Sequence, residues 1–328
     1  MPIAARRSGV VLALLLALVA GLLVVPGPPS HAHLTAKAAA PRQLPGTTGT
    51  LRVWTSGTPA VTTVRDDRGV VATFTRGART VGVRGPARSF AESTTTAMVT
   101  STTWVRLLPA PFSGSINWSW LGVALQDRTP DVLAVAVQYV TGAPDVVDDT
   151  GRRVAGDASY GPLVDGARQE GSDANDFLGE IWTYPDGTTD APEPAQLGAM
   201  DCSGFVRMVL GVRSGLPLSL RPDGQRLPRR SFEMLASGPG VVVAADTGAR
   251  APVSGLRPGD LVFFDASTDD GTRVDHVGIH LGTDSAGAPR FVSSRKTVDG
   301  PTLGDVGGRS TLSGTGLYAT AFRAVRRP

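Results

Sequence analysis

Cysteine is almost absent from this chain of 328 residues, which has one, Cys202. A single cysteine cannot form an intrachain disulfide or a multi-cysteine metal site, so a disulfide scaffold and a zinc ribbon are both excluded. Histidine is nearly as scarce. Of the four, His31 and His33 fall beside an apolar leader, which leaves His276 and His280 for any imidazole chemistry in the folded part. Lys plus Arg exceed Asp plus Glu only as 32 to 29, and aromatics make up 6% of the chain. With neither a basic stripe nor an aromatic ladder, no nucleic-acid partner is expected. The one long apolar run, Val10 to Val25, is shorter than the roughly 20 residues of a comfortable membrane span, so no transmembrane bundle is indicated.

That run has its own meaning. Arg6 and Arg7 precede it, Pro26, Pro28 and Pro29 break it, and Ser30-His31-Ala32 follows, the order of a secretory signal cleaved after Ala32. Residues 1–32 are therefore expected to be a signal peptide, and 33–45, rich in Ala, Pro and Thr, a flexible linker. Their removal leaves about 295 residues, room for two domains. An exported protein normally pairs its cysteines, and Cys202 has nothing to pair with. It reads either as a reactive thiol or as a buried structural one. The small positive excess suits an anionic surface such as a cell wall, and equally a solvated exterior.

Residues 46–145 read as a β-rich N-terminal domain. Val70–Phe74, Arg79–Val83 and Thr103–Leu107 are strand-like runs punctuated by Gly and Pro. After Thr129-Pro130, the stretch Val132–Val140 is expected to be a buried helix. Trp104, Trp118 and Trp120 form either a glycan-binding surface or core packing. Pro, Asp and Gly cluster between Thr141 and Gly156, and a second domain is expected over 150–328.

In that second part, Asp201 is a good N-cap, and Phe205, Met208, Val209 and Val212 recur at the spacing of one helix face. Cys202 then lies in the first turn, where unpaired N–H groups and the helix dipole favour a thiolate. Leu261–Phe264 has the composition of a buried strand. In Val274–Leu281, Val277, Ile279 and Leu281 alternate with His276, Gly278 and His280, again a strand. Further strands are expected at Arg290–Ser293 and Leu317–Ala324. Strand rise separates His276 from His280 by roughly 13 Å, too far for one metal ion. No metal is expected, and His280 reads as a partly exposed strand histidine.

Three stretches taken together, Asp201-Cys202-Ser203-Gly204-Phe205, Arg257-Pro258-Gly259-Asp260-Leu261-Val262-Phe263-Phe264 and Asp275-His276-Val277-Gly278-Ile279, resemble the successive signatures of the NlpC-type papain-like cysteine peptidases, which are peptidoglycan endopeptidases. The resemblance covers roughly Tyr160 to Pro328. It implies an α+β fold whose papain-like catalytic domain packs a nucleophile helix on an antiparallel sheet, here preceded by the small β-rich domain. It also implies peptidoglycan stem peptide as substrate, cut at the D-γ-glutamyl bond to a diamino acid, without an organic cofactor. Cys202 becomes the nucleophile and His276 its base and later acid. The family's third residue falls at Ser293, which is able to fix the imidazole tautomer. Asp275 points to the other strand face and is a poor orienter. Asp201 and Ser203 flank the nucleophile, and Trp182 and Tyr184 stand where the family has a cleft tyrosine; these four are expected at the substrate. Arg229, Arg230 and Arg295 are weaker candidates for substrate carboxylates, since surface arginines are common. The expectation is an exported monomeric peptidase. The alternatives are a wall-binding or structural protein on a weakly active scaffold, or an amidase or acyltransferase using the same thioester.

Overall fold

Short β-branched runs separated by tight turns build an antiparallel meander, since such residues fit a pleated, half-buried surface. Its strands are β1 (Arg52–Ser56), β2 (Val61–Asp66), β3 (Gly69–Thr75), β4 (Thr80–Phe90) and β5 (Val99–Leu107), hydrogen-bonded in that order. The structure, a computed structural model, describes residues 43–267 and 271–328; the expected signal peptide and residues 33–42 of the linker lie outside them. Val64, Val71, Phe74, Val81 and Val83 bury one face of the meander with Leu121 of α1 (Trp118–Ala124). Trp104 is buried in the same cluster, and Trp118 and Trp120 pack half-buried against it, so the three tryptophans serve the core. The expected helix at Val132–Val140 is α2 (Val132–Ala136), capped by Asp131, followed by one 3₁₀ turn at Val137–Tyr139.

The rest of the chain mixes helices with a second sheet. After α3 (Ala174–Leu178) comes α4 (Cys202–Val206), continued with π-helical geometry through Arg207–Val212, and then α5 (Ser231–Ser237). The strands are β6 (Val241–Ala244), β7 (Leu261–Phe264), β8 (His276–Thr283), β9 (Pro289–Arg295) and β10 (Gly300–Thr302). The last, β11 (Phe322–Arg327), follows α6 (Leu317–Ala321). The antiparallel order is β6-β11-β7-β8-β9-β10. One expected strand is corrected. Leu317–Ala324 does not run extended throughout, because the Tyr-Ala-Thr-Ala segment coils into α6 and buries Tyr318, Ala319 and Ala321 before the chain straightens at Phe322.

The architecture is thus α+β, a leading β-sheet followed by mixed helices and sheets. The described residues belong to one compact unit. Phe90, Val99 and Val105 of the meander share a core with Leu133, Ile279 and Leu281. The Pro328 carbonyl accepts from the Arg79 and Thr80 amides at 2.9 and 2.8 Å, and Arg327 Nη1 donates to Thr75 Oγ1 at 2.9 Å.

Candidate active site

The amino end of α4 is fastened from three sides. The buried Asp201 carboxylate accepts from the amides of Ser203 (3.1 Å) and Gly204 (2.8 Å), as an N-cap does, and from the Gly171 amide at 3.1 Å. Arg229 closes on it with Nη2 at 2.8 Å. Burial raises the pKa of this carboxyl, and the charge and hydrogen bonds of Arg229 more than offset it, leaving it at about 2. Gly204 must be glycine for a local reason: a Cβ there would stand 2.3 Å from the Ser172 carbonyl oxygen. Deeper along the helix, the fully buried Arg207 donates Nε to both Asp173 oxygens at 2.9 Å and Nη1 to the carbonyls of Ser219 and Leu227.

So held, α4 packs against β8 and β9. The Cys202 thiol lies 3.9 Å from the Asp275 carbonyl oxygen, at the start of the strand that carries His276. His276 Nε2 is 3.0 Å from Ser293 Oγ on β9, and among the described residues Nδ1 has no hydrogen-bond partner. The imidazole is walled by Phe264 and Tyr318, with ring centroids at 5.8 and 5.3 Å. Ser294, one residue on, points elsewhere and donates to the Met200 carbonyl at 2.6 Å. The fold therefore brings Cys202 to the start of the strand that carries His276, and His276 to Ser293.

A sequence model of the NlpC/P60 family matches residues 184–298, a span that contains all three. The chain contains an NlpC/P60-family domain. Among solved structures, the crystal structure of an NlpC/P60 family protein from Bacillus cereus ATCC 10987 is similar at 15% identity, over 86% of this chain and 81% of that one, with a TM-score of 0.27. No curated protein matches. The family assignment supports a hydrolytic, cell-wall-related function in general terms.

A cleft of about 280 Å³ opens beside Cys202 in the NlpC/P60 domain, lined among others by Tyr160, Glu170, Arg230, Phe232 and Arg273. Its aromatic residues are not those expected from sequence. Tyr184 is buried, and its hydroxyl is engaged by Arg207 Nη2 at 2.8 Å. Trp182 sits half-buried on the core in a short hairpin with Asp190. Neither residue is among those that line this cleft, and their hairpin packs on the core. Tyr160 takes the cleft, upstream of the matched span, in Ser159-Tyr160-Gly161-Pro162, and that Tyr beside Gly-Pro was the signal to look for.

Asp201 and Ser203 do border the cleft, but their polar atoms are occupied: Ser203 Oγ donates to Asp201 at 2.9 Å and accepts from Arg229 Nη1 at 2.6 Å. Arg229 and Arg295 are buried, not surface arginines. Asp275 accepts from the Ala266 amide at 2.9 Å, away from the imidazole. His280 is corrected from partly exposed to buried, donating Nδ1–H to the Arg290 carbonyl at 3.0 Å. Among the described residues no group of three or more His, Cys, Asp or Glu is arranged to hold a metal ion.

The electrostatics differ from the expected thiolate. Burial, and then the Asp201 carboxylate, push the Cys202 thiol up. Burial, and then the Arg295 charge, bring the His276 imidazole down to about 3. Both shifts favour a neutral thiol and a neutral imidazole. The helix dipole that favours a thiolate acts here on a sulfur largely sealed from solvent, and desolvation prevails.

Proposed function

We propose that the chain is an exported cysteine hydrolase with a papain-like catalytic domain that cleaves peptidoglycan stem peptides, at the D-γ-glutamyl bond to a diamino acid. The observation that carries this reading is the convergence of Cys202 at a helix start, the His276 strand and Ser293 within 3.0 Å of the imidazole. In the proposed reaction the thiol gives its proton to His276 as the sulfur attacks the amide carbonyl, and the Cys202 N–H, which the Asp201 cap does not hold, stabilises the oxyanion. The imidazolium then protonates the departing amine, and water releases the thioester. Because the resting pair is neutral, proton transfer belongs to the attack step and does not precede it.

That same neutrality favours a second reading, a wall-binding or structural protein whose papain-like scaffold turns over poorly. One experiment separates the two. Purified protein and Cys202→Ala are incubated with defined muropeptides and the products weighed by mass spectrometry. Cleavage by the first and not the second supports the hydrolase, and the product masses name the bond. Binding to isolated walls without cleavage supports the alternative. An amidase or acyltransferase would announce itself by products of the corresponding mass.

A further inference from the structure

We propose that the groove between the meander and the loop leading into β7 is a binding site for a phosphate group. A cavity of about 310 Å³ lies there, lined among others by Thr73 and Thr75 of β3, Gly82 of β4, Thr103 of β5, Arg257, and Arg327 of β11. None of its lining residues borders the cleft beside Cys202, so the site stands apart from the hydrolase reading. What points to a ligand is an orphaned donor. Arg257 Nη1 is buried without a hydrogen-bond partner, and among the described residues Arg257 makes no ion pair. A buried charged donor left unpaired carries its full desolvation penalty with nothing to offset it, and such groups are exceptions in native proteins. The neighbouring carboxylate is already engaged: Asp260 accepts from Arg327 Nε at 2.7 Å and Nη2 at 2.8 Å, and from the Arg257 amide at 2.8 Å. Two guanidinium groups therefore share one carboxylate. Burial, and then the Arg327 charge, act against the Arg257 cation, and Asp260 offsets them only in part. An anion in the groove restores the balance.

The strand side of the groove supplies donors. Thr75 Oγ1 accepts from Arg327 Nη1 at 2.9 Å, which leaves its hydrogen for a ligand. Thr73 Oγ1 stands 3.1 Å from where a Cβ on residue 82 would be, so glycine at that position keeps the floor open beside the hydroxyl. Thr80 is spent, since its hydroxyl donates to the Pro328 carbonyl at 2.8 Å. Among the described residues no carboxylate lines the cavity to repel an anion. A guanidinium from the loop and hydroxyls from β3 reach the same space from different elements, an arrangement that suits the several oxygens of a tetrahedral phosphate better than the two coplanar oxygens of a carboxylate. The group has two sources, the free ion and the phosphodiester of a polymer, and both present the same unesterified oxygens.

Isothermal titration of the purified protein at constant ionic strength in chloride tests the site, with inorganic phosphate, glycerophosphoglycerol and acetate as probes. Inorganic phosphate is expected to saturate one site with a Kd of about 1 mM or tighter, and acetate to bind about tenfold more weakly or worse. Arg257→Met, which removes the orphaned donor and its charge, should weaken phosphate binding about tenfold or more. Glycerophosphoglycerol bound as tightly as phosphate supports the site and assigns its ligand to a polymer; weaker binding supports the site and assigns it to the free ion. No saturable phosphate binding, acetate equal to phosphate, or unchanged affinity in folded Arg257→Met overturns the proposal. If Arg257→Met does not fold, Thr73→Val serves, since it removes a hydroxyl donor and keeps the side-chain shape: weakened phosphate binding supports the site and unchanged binding refutes it. Because no muropeptide is used, failure here leaves the hydrolase reading untouched.

Discussion

At the scale of single residues, the site is a lesson in burial acting against charge. Cys202 heads a helix and has a histidine nearby, which in a wetter site would give a reactive thiolate. Here the thiol is pushed up and the imidazole is pulled down to about 3. Iodoacetamide should therefore alkylate Cys202 in the folded protein more slowly at pH 7 than it alkylates free cysteine, with the rate climbing as pH rises toward and past the usual thiol range. Alkylation faster than free cysteine at pH 7 would mean that the charged pair exists at rest and that the neutral one is wrong. Ser293 has a separate test. Removing the hydroxyl frees the imidazole to turn and to exchange tautomers, so Ser293→Ala should lower kcat on the order of tenfold to a hundredfold, roughly 1.4 to 2.7 kcal/mol, with KM little changed. A raised KM with intact kcat would assign this strand to holding substrate.

At the scale of elements, the nucleophile helix stands on a buried ion pair. Asp201→Ala removes the cap of α4 and takes from Arg229, which is 9% exposed, its nearer carboxylate, leaving the Asp173 carboxylate at 3.5 Å that Arg207 also holds. Removing one partner of a buried pair costs about 3 to 5 kcal/mol, well above the roughly 1 kcal/mol of a surface cap. Chemical denaturation should show a loss larger than that of the cap alone; a loss near 1 kcal/mol would mean that Asp173 by itself satisfies Arg229. The cap itself was legible in the sequence, as were the strands at Leu261–Phe264 and around His276, because capping residues and period-two alternation are local signals. The partner of the cap was not. Arg229 lies 28 residues away from Asp201, and nothing local distinguishes it from a solvated arginine. The same limit hid the burial of Tyr184, whose neighbours in sequence suggested a cleft wall and whose hydroxyl is held by Arg207 from another helix. The segment at Leu317–Ala324 failed differently, since alanine-rich turns and short strands share one composition at that length.

At the scale of the whole molecule, two consequences follow from how completely the chain buries its polar and apolar groups. The meander supplies Phe90, Val99 and Val105 to the core beneath β8, and the final carbonyl is bonded to Arg79 and Thr80. A fragment of residues 150–328 should therefore aggregate or melt well below the full chain; an equal Tm would show that the meander is dispensable. The other consequence is a pH dependence of stability whose sign can be worked out. Burial holds His280 at about 4 and His276 at about 3, both below the ordinary 6.5. Between pH 7 and 5 the unfolded chain takes up protons that the fold refuses, so stability present above 6.5 is lost on acidification. Asp176 works the other way. Burial and its neighbour Glu193 raise it to about 7, so over the same interval the fold retains a proton that the unfolded chain releases, and stability grows as pH falls. Asp190 and Asp260 are raised by burial as well, so carboxyls and histidines move the Tm in opposite directions between pH 7 and 5. Relative to the wild-type slope, Asp176→Asn, which removes one of those carboxyls, should lose more Tm on acidification, and His280→Asn, which can still donate to the Arg290 carbonyl, should lose less. Equal slopes in all three proteins would place the titrating groups elsewhere.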